Sequence, residues 1–502
     1  MSLLLFVIFL LLVTYKLYRF AYDKPPDTPP GIIRLPIGGA YWLLLWGNYK
    51  FPYLTIDYYV KKLKSKIISC YMGNDFVIIV NDYQNIKEVL AREEFDGRVS
   101  VQTIRDRAFG KNLGIFFIDG LKWHEQRRFA LRYMRDFGFG RRQEKLETEI
   151  MDEMSLLIDI LKNGPIYEGE KEILKGNLAF FPDILYASSA NNIWNVMFGY
   201  RFDRSEHDIS RQLCRAAVKM QRGNDTTGGA IFQMPFLKHF GNMFGYKDHI
   251  NGSNTMTAIV KKYLEYQQTI LSENIDQGFA DIYLKKLNDD KKSDTFTKEQ
   301  MIILLIDMMF PAFSALPGVI THAIKYLMHN PRVMKKVQNE IDNVVGTGRL
   351  ITWDDRKDLP YLEAIIRETM RIETITPLSV IHRTVKNTTL SGYKIPINTP
   401  IFTNLAAMHH DPDVWGDPEN FRPERFLKED GQLIKDITLP FGFGHRLCAG
   451  ETYARYNFFG TLALLLQNFN FFFVEGEPSS LEDKVPGLTV IPKELWIRLE
   501  LR

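Results

Sequence analysis

Residues 440–450 read PFGFGHRLCAG, and what this stretch is for decides the fold. It sets one cysteine, Cys448, just before residues 451–467, which are nearly apolar after Arg455 and read as a buried helix. Gly442, Gly444 and Gly450 let the backbone turn tightly and come close to something flat and bulky with no Cβ in the way. A thiolate at a helix N-terminus is stabilised by the positive end of the helix dipole and by unpaired backbone N–H groups. Such a soft ligand suits iron. The competing reading is a buried structural cysteine beside a glycine-rich loop.

The rest of the composition narrows the choice. The chain has 502 residues, 45% hydrophobic and 25% charged, enough for a large core. A formal charge of +3 gives no reason to expect a nucleic-acid binder. Cys70, Cys214 and Cys448 are too widely spaced for a disulfide framework or a zinc site. They suit a reducing compartment and one cysteine with a special task.

The spacing of Phe441, Gly444, Arg446, Cys448 and Gly450 fits F-x-x-G-x-R-x-C-x-G, five fixed positions in ten. In this motif the chain resembles the cytochrome P450 family, nearest to microsomal members of the second clan from insects and vertebrates. The resemblance implies a mainly α fold with a smaller β region. It also implies haem b (iron protoporphyrin IX) with Cys448 as the axial thiolate, which pushes electron density toward O–O cleavage. Phe441 then belongs to the cofactor loop, and Arg446 pairs with a haem propionate.

Further segments match the same family. Residues 120–140 read GLKWHEQRRFALRYMRDFGFG, with Trp123 and Arg127 four apart on one helix face. The resemblance gives this pair a propionate. Arg128, Arg132 and Arg135 share another face. They are either a solvated basic stripe or the surface where the family docks an acidic electron donor, NADPH–cytochrome P450 reductase and, in addition, cytochrome b5. Glu368 and Arg371 form E-x-x-R, and residues 415–426, WGDPENFRPERF, supply the arginine that locks them in the family. His382-Arg383 lies where another propionate partner is expected; either residue can serve, with His382 preferred.

At the N-terminus residues 3–13 are all apolar. The run is short for a full span of roughly 20 residues, but Lys16 and Arg19 can snorkel and the tyrosines suit an interface. A cleaved signal peptide is the alternative, but the positive charges follow the apolar run and no small-residue cleavage site appears. The expected layout is a membrane anchor over residues 1–22, a proline-rich hinge (PPDTPPG within 23–38) and a haem-thiolate catalytic domain over 39–502. The expected location is the endoplasmic reticulum membrane, with the body on the cytoplasmic face and the N-terminus outside. Residues 41–46, YWLLLW, either rest on the membrane or close the core. KIISCY and FVIIV around Gly73-Asn74-Asp75 predict a hairpin, and residues 288–297 an exposed loop.

The central apolar run is where the chain departs from its family. Residues 297–300, TKEQ, form a capping box, followed by MIILLIDMMFPAFSALPGVITHAIKYLMHNP. In the family this helix crosses the oxygen-binding face with A/G-G-x-(D/E)-T, whose acid and threonine deliver protons to dioxygen. Here Ser314 replaces the acid, Ala315 replaces the threonine, and Leu316 follows. No threonine lies between Met301 and Ile320, so a small register slip restores none. Pro311 and Pro317 flank the segment and are expected to open the helical ladder.

Three readings follow. Ser314, or a water held by freed carbonyls, replaces the relay; or the substrate supplies a hydroxyl; or a substrate that already holds an O–O bond is rearranged. The pocket is expected to draw on Phe109, Leu113, Ile115, Phe116 and Phe117, on Phe310 and Phe313, on residues 378–381, and on Val490. It suits a small lipophilic ligand such as a steroid, terpenoid, fatty acid or xenobiotic. The leading expectation is a monooxygenase fed by NADPH electrons. The rivals are a hydroperoxide isomerase or dehydratase, and a haem protein that stores or senses a ligand without turnover.

Overall fold

The computed structural model describes residues 2–502 apart from 224–228, 272–275 and 347. Helix α1 (Ser2–Tyr22) runs without interruption through Lys16 and Arg19. At 1.5 Å per residue its 21 residues extend about 30 Å, the thickness of a bilayer's hydrocarbon core. Its apolar side chains face outward. Its end is tied down by Arg34, whose N–H donates to the Ala21 carbonyl and whose guanidinium sits 4.6 Å from the Phe20 ring centroid.

The expected hinge is shorter than the sequence indicates. From Thr28 the chain already belongs to the body: Ser69 Oγ donates to the Pro29 carbonyl and Ile32 N–H to the Ser69 carbonyl. Gly38 and Gly39 continue along the same strand. Extended proline-rich backbone keeps its carbonyls free, and here they are spent on a sheet edge. Residues 41–46 form part of α2 (Tyr41–Gly47), which closes the core on one face only. Tyr41 and Leu44 are buried, while Trp42 and Trp46 are exposed.

The hairpin forms as expected, β1 (Ile67–Met72) antiparallel to β2 (Asp75–Val80). With β3 (Gly97–Arg98), β4 (His382–Arg383) and β5 (Pro400–Thr403) it makes a sheet of order β1-β2-β5-β4-β3. Strand β2 is parallel to β5, and β4 is antiparallel to both β5 and β3. Residues directly opposite across an antiparallel pair share a face. The register Arg98↔His382 and Gly97↔Arg383 therefore puts Arg98 and His382 on one face and Arg383 on the other.

The helical body contains α3 (Gly120–Met134), α4 (Tyr186–Phe198), α5 (His207–Arg222), α6 (Tyr246–Ile270), α7 (Lys298–His329), α8 (Pro360–Ile372) and α9 (Glu451–Asn468). Helix α7 is its axis, packed by α4, α5, α6, α8 and α9. Thr297 caps it, its side chain accepting the Gln300 N–H. It is as long and apolar as a membrane span, but it is buried where α1 is bare.

Pro311 and Pro317 do not break α7, contrary to expectation. Each only removes one donor, and packing on all sides holds the helix together. The hydroxyls of Ser314 and Thr321 donate to the carbonyls of Phe310 and Pro317 within the same stretch.

Under α8 lies the charged lock. Glu368 and Arg371 are fully buried and paired in a fork at 2.7 and 2.9 Å. Arg425 reaches the same carboxylate at 3.0 Å and Arg422 N–H at 2.9 Å. The remaining Arg371 donors go to the carbonyls of His409 and Pro418. A charge buried this deeply is tolerable only because nearly every hydrogen-bonding position is filled.

Candidate functional site

The cysteine loop is built by a few backbone constraints. Gly444 has φ +68°, and a Cβ there would lie 2.1 Å from the Leu90 carbonyl oxygen. Cys448 N–H donates to the Phe441 carbonyl at 2.9 Å, and Arg127 donates to the Leu447 carbonyl. This closes the loop so that Phe441, Cys448 and Gly450 all face one cavity. A Cβ on Gly450 would approach only the Phe139 ring, at 3.5 Å, so the face beside Cys448 is open.

Helix α9 starts at Glu451, with Gly450 as its cap, so Cys448 stands outside the first turn. In the polypeptide alone, burial pushes its thiol above the usual range, opposed by the Gly450 N–H and by Arg127.

One wall of the cavity is cationic. Trp123, Arg127 and Arg446 converge there, the Arg446 guanidinium 3.5 Å from the Trp123 ring centroid. Arg446 also donates to the carbonyls of Asp96 and Ile118 at 2.9 Å. The strand register adds His382 and a residue that the sequence did not single out, Arg98. His382 Nδ1 lies 2.8 Å from the Phe95 carbonyl oxygen, and burial pushes its pKa well down. Arg383 turns away to Asp119 and Asn398.

Burial lowers Arg98 to about 9, and burial with repulsion from Arg98 lowers Arg446 to about 8. Trp123 Nε1 and Arg98 Nε have no partner among the described residues. Crowded guanidinium groups and idle donors are what two carboxylates would satisfy. Among the described residues no cluster of His, Cys, Asp or Glu can hold a metal directly. A single thiolate, an open glycine face and a cationic wall fit iron carried by a porphyrin with two propionates.

The opposite wall comes from α7, the loop before α3 and the chain's C-terminal turn. They enclose about 290 Å³, mostly apolar. Ala315 faces this cavity with no hydroxyl. Ser314 does not line it. Its buried hydroxyl donates to the Phe310 carbonyl and accepts from Gln221 Nε2, so the proposed relay atom is already committed.

Of the pocket residues expected, Ile115, Phe116, Phe310, Ser379 and Val380 line the cavity. Phe109, Leu113, Phe117, Phe313, Leu378, Ile381 and Val490 do not. Leu113, Phe313, Leu378 and Val490 are buried core instead.

Two polar features here escaped the sequence reading: Gln221 and the buried pair Arg107–Asp307 at 2.8 Å. Asp307 also accepts the N–H groups of Ile115 and Phe116, pinning that loop to α7. Only Asp307 carried a signal, as an acid within an apolar run; the others are ordinary residues until the fold gathers them.

Comparison with known proteins agrees with this geometry. The family model described as Cytochrome P450 matches residues 29–498. The farnesoate epoxidase of Bombyx mori is 30% identical over 478 residues, covering 94% of each chain. Cytochrome P450 2F2 of Rattus norvegicus is 31% identical over 490 residues, again 94% of each. Cytochrome P450 2U1 of Homo sapiens is 29% identical over 454 residues, 88% of this chain and 80% of that one. A cysteine facing an open cavity, a cationic wall suited to carboxylates and a match over most of its length place the chain in the cytochrome P450 family, as a monooxygenase-type oxidoreductase with a haem-thiolate centre.

Proposed function

We propose that the protein inserts one oxygen atom from O2 into a small lipophilic substrate. The electrons come from NADPH through NADPH–cytochrome P450 reductase, with cytochrome b5 as a second donor. The reaction takes place at the cytoplasmic face of the endoplasmic reticulum, with α1 in the membrane and the N-terminus outside. The observation that carries this is one cavity that holds Cys448 and the cationic wall and is also lined by the apolar Ile115, Phe116, Phe310 and Val380. Haem b, when bound, supplies the redox chemistry that activates O2.

The chain's own residues do the remaining work. Cys448 would ligate the iron. Trp123, Arg127, His382 and Arg446, joined by Arg98, would hold the carboxylates, with the three guanidinium groups neutralising them in a buried setting. The apolar lining excludes water and gains roughly 25 cal/mol for each Å² of apolar surface it covers. The exposed Arg128, Arg132 and Arg135 present positive charge to an acidic electron donor. The Bombyx mori relative is named for farnesoate. Terpenoids therefore come first among candidate substrates, ahead of steroids, fatty acids and xenobiotics.

Proton delivery differs from the family pattern. Ala315 carries no hydroxyl, and the Ser314 proton is spent on Phe310. Protons then reach the cavity from water or from the substrate. The same observation favours a second reading, isomerisation or dehydration of a hydroperoxide without external electrons.

Purified holoprotein with reductase and NADPH, offered terpenoids, steroids, fatty acids and their hydroperoxides, tests the proposal. Oxygenated product that requires NADPH is expected. Conversion of hydroperoxides alone, with NADPH idle, overturns it in favour of the second reading.

A further inference from the structure

The distal side of the cavity carries one polar chain that the haem-thiolate chemistry does not use. Thr489 Oγ1, in the C-terminal turn, donates to Gln221 Oε1. Gln221 Nε2, in the last turn of α5, donates to Ser314 Oγ in α7. Ser314 Oγ donates in turn to the Phe310 carbonyl at 3.0 Å. The direction of each bond is fixed by this last one. Ser314 gives its only proton to Phe310, so it must accept from the amide nitrogen, which leaves the amide oxygen for Thr489. The Gln221 carbonyl is also held, accepting Leu488 N–H at 3.1 Å. All three side chains are buried, and Gln221 and Thr489 lie on the cavity wall while Ser314 stands behind them.

An amide nitrogen carries two protons. One goes to Ser314, and the second has no acceptor among the described residues. A buried donor left unmade is costly, and three separate elements fix this one in place. Gln221 itself lines the cavity, and the charged groups that line it with Gln221 are already assigned. The cations that line the cavity, Arg98, Arg127 and Arg446, all belong to the cofactor wall. The acids that line it are already engaged, Asp307 with Arg107 and Glu373 with Lys484 and Tyr326.

The geometry points to Gln221 as a substrate-orienting residue, whose free amide N–H receives a neutral carbonyl oxygen (an ester or ketone) on an otherwise apolar substrate. A neutral oxygen accepts one hydrogen bond without further help. A carboxylate entering here finds no spare cation and meets Asp307 and Glu373, so the free acid is disfavoured. This rests on the reading of the cavity as a lipophilic-substrate site and adds what one end of that substrate carries.

The test is a set of binding titrations on the full-length holoprotein, following the haem absorbance shift that accompanies filling of the cavity. The probes are farnesyl-length isoprenoids matched in shape: a methyl ester, the corresponding hydrocarbon and the free acid. The ester should bind about tenfold more tightly than the hydrocarbon, the value of one satisfied buried hydrogen bond. The acid should bind more weakly than the ester.

In Gln221→Met, a side chain of nearly the same length without a donor, the ester preference should disappear. Gln221→Leu should lose it too, with hydrocarbon binding retained. An unchanged haem spectrum without ligand reports that each variant is folded. Equal binding of ester and hydrocarbon by the natural protein, or a preference that survives Gln221→Met, overturns the assignment while leaving the lipophilic cavity standing. Absence of a shift with all three probes overturns both.

Discussion

Arg98 and His382 face each other across two short strands, and the cofactor wall depends on that register. Arg98→Ala should lower haem retention during purification, read as the ratio of haem to protein absorbance. Arg383→Ala, one residue along the partner strand but on the other face, should leave that ratio unchanged. Cys448→Ser removes the thiolate. The ferrous carbon-monoxide complex should then lose its thiolate-specific red-shifted band, whatever haem remains.

At this scale the sequence carried a residue when a fixed spacing accompanied it. Cys448, Arg446 and Phe441 sit in one motif, and Trp123 with Arg127 in another. Arg98 and Gln221 come from two distant segments and have no spacing of their own. Only strand register and helix ends bring them to the cavity. Ser314 is the opposite case: the sequence singles it out, but a hydroxyl within a helix can bond back to the carbonyl four residues earlier, and this one does.

Among the elements, the lock beneath α8 is the most exposed to test. Glu368→Gln leaves Arg371 and Arg425 buried without their carboxylate. Removing one partner of such a pair costs about 3–5 kcal/mol. Chemical denaturation should register a loss of that order, or no folded holoprotein should accumulate.

Helix α4 and its neighbours offer a pH test. Burial raises Glu153 from 4.5 to about 7, despite Asn191 and Arg201 nearby. A carboxyl raised by folding costs nothing below its unfolded pKa, and its cost grows as pH rises through the folded value. Glu153→Gln should therefore gain up to about 3 kcal/mol relative to the natural protein between about pH 4 and pH 8. A constant difference across that range would mean that the carboxyl is not destabilised by burial. Among these elements α7 and the hairpin were legible from apolar period and turn residues. The uninterrupted passage of α7 through two prolines was not, because packing from all sides outweighs two missing donors.

Over the whole molecule, the chain divides into an exposed apolar helix and a body that begins near Thr28. The sequence gives no sign that residues 29–32 are bonded to Ser69. Proline-rich backbone looks like a free linker until the sheet edge that accepts it is known. Deleting residues 1–22 should shift the protein toward the soluble fraction and leave ligand-induced spectral shifts intact. Unchanged spectra with unchanged membrane retention would direct attention to the exposed Trp42 and Trp46 of α2.

The central claim is that this cavity activates O2 although Ala315 stands where the family keeps a hydroxyl. Isotope-labelled O2, given to the reductase-coupled holoprotein with and without NADPH, tests it most directly. The account predicts one labelled oxygen atom in the product, only with NADPH. Product formed from an unlabelled hydroperoxide, with no label incorporated and no need for NADPH, would contradict it.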